Sequence, residues 1–265
     1  MNYLMFKNFR RKIKKKIPKS IKDYIFSIHQ ISKRFENYKL ICKNLKNCKV
    51  IEIGGPSTMF YTKIPFYQKI KSLDVVNFSN STTWEGNIKE GYNCNYYSNR
   101  FAYQFISEAS LLTNVKNNTY DAVVSSHCLE HVANPIKALL RWKEVLKSEG
   151  FMLLILPHKI GNFDHKRNDT TFDHIMSDFK NDVDENDDTH FKEFINFFDL
   201  EKKPGKKISL EEHIEITKNN FRNREVHHHV FNKKLIYETL NYCDFEILDY
   251  LEKKEDLIVF CKKNI

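Results

Sequence analysis

Apolar positions along this chain change their period twice, and the changes divide it. Over residues 21–45 they recur at Ile21, Tyr24, Ile25, Ile28, Ile31 and Phe35, the spacing that places one stripe on a helix. From Lys49 onward, short apolar runs alternate with helical stretches, the pattern of βαβ units and a parallel sheet. The runs at 50–53, 70–75, 122–125 and 151–156 read as strands, with a helix over 135–146. Regularity breaks down after Leu156. Residues 158–229 form a long polar stretch rich in Asp and His, with helical pieces around 172–179 and 191–198. Order returns with a helix over 233–242, and strands at 246–250 and 257–262 close the chain as a hairpin-like pair.

Composition sharpens this picture at three points. A length of 265 residues admits one well-buried α/β domain plus extensions, and no apolar run reaches the ~18–20 residues that span a bilayer. The start of the chain lacks the apolar segment and cleavage site of a secretory signal. Six scattered cysteines without a C-x-x-C pair imply free thiols in a reducing, cytoplasmic compartment. The net charge of +9 is concentrated at one end. Residues 1–48 hold 14 Lys/Arg against Asp23 and Glu36, whereas the rest holds 29 basic against 32 acidic side chains. The expected organisation is a basic arm and helix over 1–48 and a catalytic domain over 49–265, with 158–229 as a lid-like insertion. Residues 1–20 suit a solvated arm, or attachment to anionic lipid or an acidic partner. A nucleic-acid enzyme would more often carry its basic face on the catalytic body, so nucleic acid is not an expected partner.

The first apolar run leads directly into Glu52-Ile53-Gly54-Gly55-Pro56-Ser57. Glycine at such a turn lets the backbone approach a ligand, and the acidic strand end can accept hydrogen bonds. The turn is not G-x-G-x-x-G, which argues against a nicotinamide dinucleotide. Asp74 lies about 20 residues on, where a doubly wound domain places a carboxylate on ribose hydroxyls. Residues 120–135 read Y-D-A-V-V-S-S-H-C-L-E-H-V-A-N-P: a buried strand, a polar strand end, a short turn and a helix start.

With the helix that follows and V-L-K-S-E-G-F-M-L-L-I-L-P at 145–157, this segment resembles the fourth and fifth strands of class I S-adenosylmethionine-dependent methyltransferases. The resemblance covers roughly residues 49–262. It implies a Rossmann-like sheet of seven mostly parallel strands, helices on both faces, an antiparallel last strand and a long insertion after strand five. Further segments are similar to bacterial methyltransferases of surface-polysaccharide clusters: I-E-I-G-G-P-S, T-W-E-G at 83–86, L-P-H-K, F-D-H-K-R, D-D-T-H and H-H-H-V-F. Carried over by position, Glu52, Gly54 and Gly55 would line the methionine and ribose end of S-adenosylmethionine. Asp74 would meet the ribose hydroxyls, Glu108 would reach the adenine, and His127 would sit beside the methionine. Pro56-Ser57 departs from the generic motif, which continues with glycine.

A sugar hydroxyl is a poor nucleophile at neutral pH and needs a base or a metal. His158, Asp164, His165, His228 and His229 are the expected catalytic group, with His227 in the same run. A mixed His/Asp set also suits Mn, Fe or Zn, but no two candidates show H-x-x-x-H spacing, so a base is the preferred reading. The expected reaction is O-methylation of a sugar or sugar nucleotide for capsule or lipopolysaccharide. Two rivals are methylation of a phosphoryl-type substituent, which would place Arg or Lys at the acceptor, and a cofactor-binding scaffold without turnover.

Overall fold

The computed structural model describes residues 34–264. Its framework is β1 (Lys49–Ile53), β2 (Ser72–Asn77), β6 (Arg100–Ile106), β7 (Tyr120–Ser126) and β8 (Leu146–Pro157), all running in parallel. The chain ends in β9 (Phe245–Glu252) and β10 (Asp256–Lys263), and β10 inserts antiparallel between β8 and β9. A further strand, β5 (Gly91–Tyr97), pairs antiparallel with β6 at the opposite edge, so the order is β5-β6-β2-β1-β7-β8-β10-β9. A separate ribbon joins β3 (Ser81–Thr82) and β4 (Gly86–Asn87).

The Rossmann-like α/β architecture and antiparallel last strand are those expected, with one correction: the sheet has eight strands, not seven. The added hairpin runs G-Y-N-C-N-Y-Y and is largely solvated, so its sequence shows neither a buried run nor clean alternation.

Strand alternation sorts the core into two layers. Ile51, Ile53, Val123, Leu154 and Val259 face one side, where α3 (Pro135–Val145), α4 (Phe172–Lys180) and α8 (Lys233–Tyr242) pack. Val50, Val75, Val124, Ile155 and Phe260 face the other, against α1 (Tyr38–Asn44), α2 (Met59–Thr62) and the loop through Phe66 and Tyr67. Asn134 caps α3, its side chain accepting the Lys137 backbone N–H at 3.0 Å, and Pro135 occupies the first turn without losing a hydrogen bond.

Phe35, Ile41, Cys42 and Leu45 belong to the second layer, so the packed core takes in residues before 49. The helix expected over 21–45 lies partly outside the described residues; within them it spans only α1, preceded by a turn. The basic arm, including the proposed attachment segment 1–20, lies outside the described residues. The insertion carries α4, α5 (Phe191–Phe197), α6 (Leu210–Lys218) and α7 (Asn220–Asn223). Among the described residues, no helix is long and apolar enough to cross a membrane.

Candidate active site

The carboxyl ends of β1, β2, β6 and β7 converge on an open pocket of about 510 Å³. Ile53 and Gly54 follow β1, Asn77 and Phe78 end β2, Ser107 to Ala109 follow β6, and His127 and Cys128 follow β7. Gly54 has φ +79°, and a Cβ there would lie 2.9 Å from both Cβ and Sγ of Cys128. Only glycine keeps this backbone conformation and leaves the turn open to a ligand.

Two expected cofactor residues stand elsewhere. Glu52 is wholly buried beneath the turn, because alternation directs it to the opposite layer from Ile51 and Ile53. Its carboxyl accepts the Ser57 backbone N–H at 2.8 Å and the Tyr67 hydroxyl at 2.5 Å, and burial pushes its pKa up to about 8. A Cβ on Gly55 would collide with this carboxyl at 2.2 Å, so Gly55 serves the packing of Glu52. Neither residue lines the pocket. Asp74 is the second correction: β2 runs on to Asn77, leaving Asp74 inside the strand with the Tyr120 hydroxyl donating to it at 2.8 Å. Asn77 takes the strand-end position and donates its side-chain N–H to the Gly55 carbonyl at 2.8 Å.

Glu108 and His127 do line the pocket. Arg224, from the insertion, holds Glu108 at 2.5 Å and stacks over Phe78 with its guanidinium 5.0 Å from the ring centre. Glu185, also from the insertion, is raised to about 7 by burial, with Arg224 opposing the shift. The insertion therefore closes over the pocket as well as over the region beyond it. His127 adopts φ +50° and meets Asp256 at 3.0 Å. Burial opposes its protonation, but the Asp256 hydrogen bond and the Glu130 charge outweigh burial and raise its pKa.

Beyond Trp84, His127 and His131 the pocket opens into a cleft of about 1780 Å³. One wall is aromatic: Phe163 stacks on Phe198 with ring centres 4.4 Å apart, and Phe194 meets both edge-on. Lys63, Lys202 and Lys203 also line the cleft. Glu130, His131 and His227 cluster where it meets the pocket.

His227 is the best-prepared base of this cluster. Its Nδ1 lies 2.5 Å from Asp164 Oδ2, and the other oxygen of Asp164 accepts from Arg167 at 2.9 Å. Burial alone would raise the Asp164 pKa, but His227 and Arg167 hold it below the usual range, so the carboxyl is anionic. An anionic acceptor fixes the proton on Nδ1 and leaves the Nε2 lone pair of His227 for the cleft. Arg167 also donates to the His227 carbonyl at 2.8 Å, anchoring the backbone of the dyad. His131 is kept neutral by burial and by His227, and its Nδ1 faces the Val226 carbonyl at 3.1 Å. Burial raises the Glu130 pKa, and neither of its carboxyl oxygens has a hydrogen-bond partner among the described residues.

Of the expected catalytic group, only Asp164 reaches this cleft, and it does so through His227. His158 turns to the β9–β10 connection, with Nδ1 2.9 Å from the Lys253 carbonyl. His165 pairs with Asp199 at 2.6 Å. His228 faces Asn220 and Asp187, and His229 faces Asp178 at 3.0 Å. Burial lowers the pKa of both, that of His229 to about 3. None of these four histidines lines the pocket or the cleft. Sequence reasoning did not single out Trp84, Asn77, Glu130, His131 and Arg224. Trp84 and Glu130-His131 stand in the motifs T-W-E-G and E-H-V, whereas Arg224 carries no motif signal.

Comparison with known proteins bears on the fold. The model of a methyltransferase domain matches residues 64–154. Among solved structures the chain is similar to an S-adenosylmethionine-dependent methyltransferase from Mesorhizobium loti, at 9% identity and a TM-score of 0.50, over 85% of this chain and 95% of that one. It is also similar to one from Methanosarcina mazei, at 14% identity and a TM-score of 0.45, over 85% and 97% of the two chains. The first of these likenesses establishes the fold. A search of curated proteins returned no match.

Proposed function

We propose that this chain is an S-adenosylmethionine-dependent methyltransferase that O-methylates a sugar or sugar nucleotide of the kind built into capsule or lipopolysaccharide. The carrying observation is the cleft: an aromatic wall on one side, the His227–Asp164 dyad on the other, both opening on the His127 end of the cofactor pocket. Aromatic faces suit the C–H faces of a sugar ring, and an oriented imidazole suits a hydroxyl that must lose its proton. The motif resemblance to surface-polysaccharide methyltransferases supports the same acceptor class.

The residues present fit the cofactor. Gly54 leaves a cradle that a Cβ would fill, and the unpartnered Glu130 carboxyl lies 3.9 Å from His127 where the cleft meets the pocket, a group that a cationic ligand would draw into its charged form. When bound, S-adenosylmethionine supplies a methyl carbon already activated for in-line displacement. The protein then has to align the acceptor and manage one proton. In this reading Gly54 and His127 hold the methionine end, Asn77 the ribose and Glu108 the adenine end. His227 Nε2 takes the acceptor proton while Asp164 keeps the imidazole oriented, and Trp84 and the phenylalanine wall exclude water.

Lys63, Lys202 and Lys203 favour a second reading, methylation of a phosphoryl-type substituent. Incubation of the purified chain with labelled cofactor and matched panels of sugar nucleotides and phosphorylated sugars separates the two. The hydroxyl reading expects an alkali-stable methyl ether that depends on His227. A methyl ester on phosphorus, formed equally by His227→Ala, would replace it with the second.

A further inference from the structure

We propose that the insertion holds a zinc ion between His174, Asp178, His190 and His229, as a structural site separate from the cleft. The four side chains arrive from three segments: His174 and Asp178 one helical turn apart on α4, His190 at the start of α5, and His229 from the extended stretch before α8. One ligand atom from each lies within 4.8 Å of all the others. His174 Nε2 and His190 Nε2 are 2.8 Å apart, His229 Nε2 and Asp178 Oδ2 3.0 Å, and His174 Nε2 and Asp178 Oδ2 3.5 Å. A tetrahedral zinc with bonds of 2.0–2.1 Å needs its ligand atoms about 3.3 Å apart. The observed separations bracket that value, and imidazole with carboxylate is a donor set zinc accepts.

The neighbours of the cluster are those a metal site requires. Asp187 Oδ2 lies 2.7 Å from His190 Nδ1, the carboxylate–histidine pairing that fixes the tautomer and leaves Nε2 free to ligate. His229, His190 and Asp178 are almost wholly enclosed, whereas the His174 side chain is 44% exposed and forms the entry side.

A second and independent observation is the interior of the insertion. Across residues 158–229 the buried apolar side chains are Ile175, Phe194 and Val226, while buried polar groups outnumber them several-fold. Fully buried apolar side chains are few for a segment of this length, and a metal crosslink stabilises a segment with such an interior. The ion would tie α4, α5 and the 226–229 stretch together. Phe194 on α5 and His227, two residues before His229, are thereby set in the cleft.

The test uses the full chain purified without a histidine tag. Elemental analysis should find one zinc per chain. Chelator should lower the melting temperature, and zinc alone should restore it. Cobalt(II) exchanged into the stripped protein should show the visible bands of a four-coordinate site. His174→Ala, at the exposed corner, should lose the ion and those bands, with S-adenosylhomocysteine affinity unchanged. The cobalt spectrum of the unmodified chain decides the question even if a variant fails to fold. A stripped protein that neither binds zinc nor gains melting temperature from it overturns the proposal. So does zinc that persists in His174→Ala and is lost in His131→Ala, which would place the ion in the cleft.

Discussion

Replacing His227 by alanine tests the catalytic reading most directly, because the structure separates its effects. The imidazole bonds through Nδ1 to Asp164, and Asp164 keeps its ion pair with Arg167 at 2.9 Å after the imidazole is gone. No buried charge is stranded, so the stability cost should stay near about 1–2 kcal/mol, the ordinary price of a core truncation. Asp164→Asn is a poorer probe: it removes one of the two carboxylates of the buried Arg167, leaving only Glu193 at 3.3 Å, and so mixes a stability loss with the loss of imidazole orientation. Loss of a positioned general base slows turnover about 10²–10⁴-fold, or about 2.7–5.5 kcal/mol of barrier. His227 lines the cleft but not the cofactor pocket, so cofactor affinity should hold. Methyl transfer to the preferred acceptor gives kcat and KM, calorimetry with S-adenosylhomocysteine gives the affinity, and thermal melting reports the fold. Wild-type kcat in a folded variant would refute the assignment, as would a loss confined to cofactor binding.

Four further outcomes follow from the same geometry. Gly54→Ala forces a left-handed alanine at about 1–2 kcal/mol and pushes its Cβ against Cys128, so the dissociation constant for S-adenosylhomocysteine should rise about tenfold or more; an unchanged constant would clear Gly54 of the role. The Glu52 pKa is raised from 4.5 to about 8, so its contribution to stability is complete below pH 4.5 and drains away as pH climbs toward 8, by at most about 1.4 kcal/mol per unit. Glu52→Gln, permanently neutral, should flatten that part of the melting-temperature profile, and an identical slope would contradict the buried, protonated carboxyl. Arg224→Ala removes the clamp on Glu108 and the cover over Phe78, and should weaken cofactor binding by about 1–3 kcal/mol while leaving the cleft histidines in place; calorimetry showing full affinity would remove the insertion from the cofactor site. Deleting residues 1–20 should leave turnover on soluble acceptor intact and abolish salt-sensitive binding to anionic vesicles, and equal vesicle binding by the shortened chain would exclude the arm as an attachment segment.

Period and turn chemistry alone determined the parallel core of this protein. The apolar runs ending at Ile53, Ser125 and Leu156 are continuous because both faces of their strands are covered, and Asn134-Pro135 marks the start of α3 by capping chemistry that is local in sequence. Gly54 was equally legible, since a left-handed turn at a strand end leaves little choice of residue. Whatever depended on register or on distant partners was decided in three dimensions. Asp74 missed the pocket because β2 runs on past its apolar run to Asn77, which stands at the edge instead. Glu52 points beneath the turn because a strand turns successive side chains to opposite faces, and the Tyr67 hydroxyl waits on that face. The insertion was most opaque, because its interior is polar and histidines carry no periodic signature. His227 became the candidate base, and His228 and His229 structural groups, only where the packed chain set Asp164, Asp187 and Asp178 beside them. A side chain's chemistry is written in its type, but its pKa, its tautomer and its access to the cleft are set by neighbours as far along the chain as Asp256 from His127, 129 residues away.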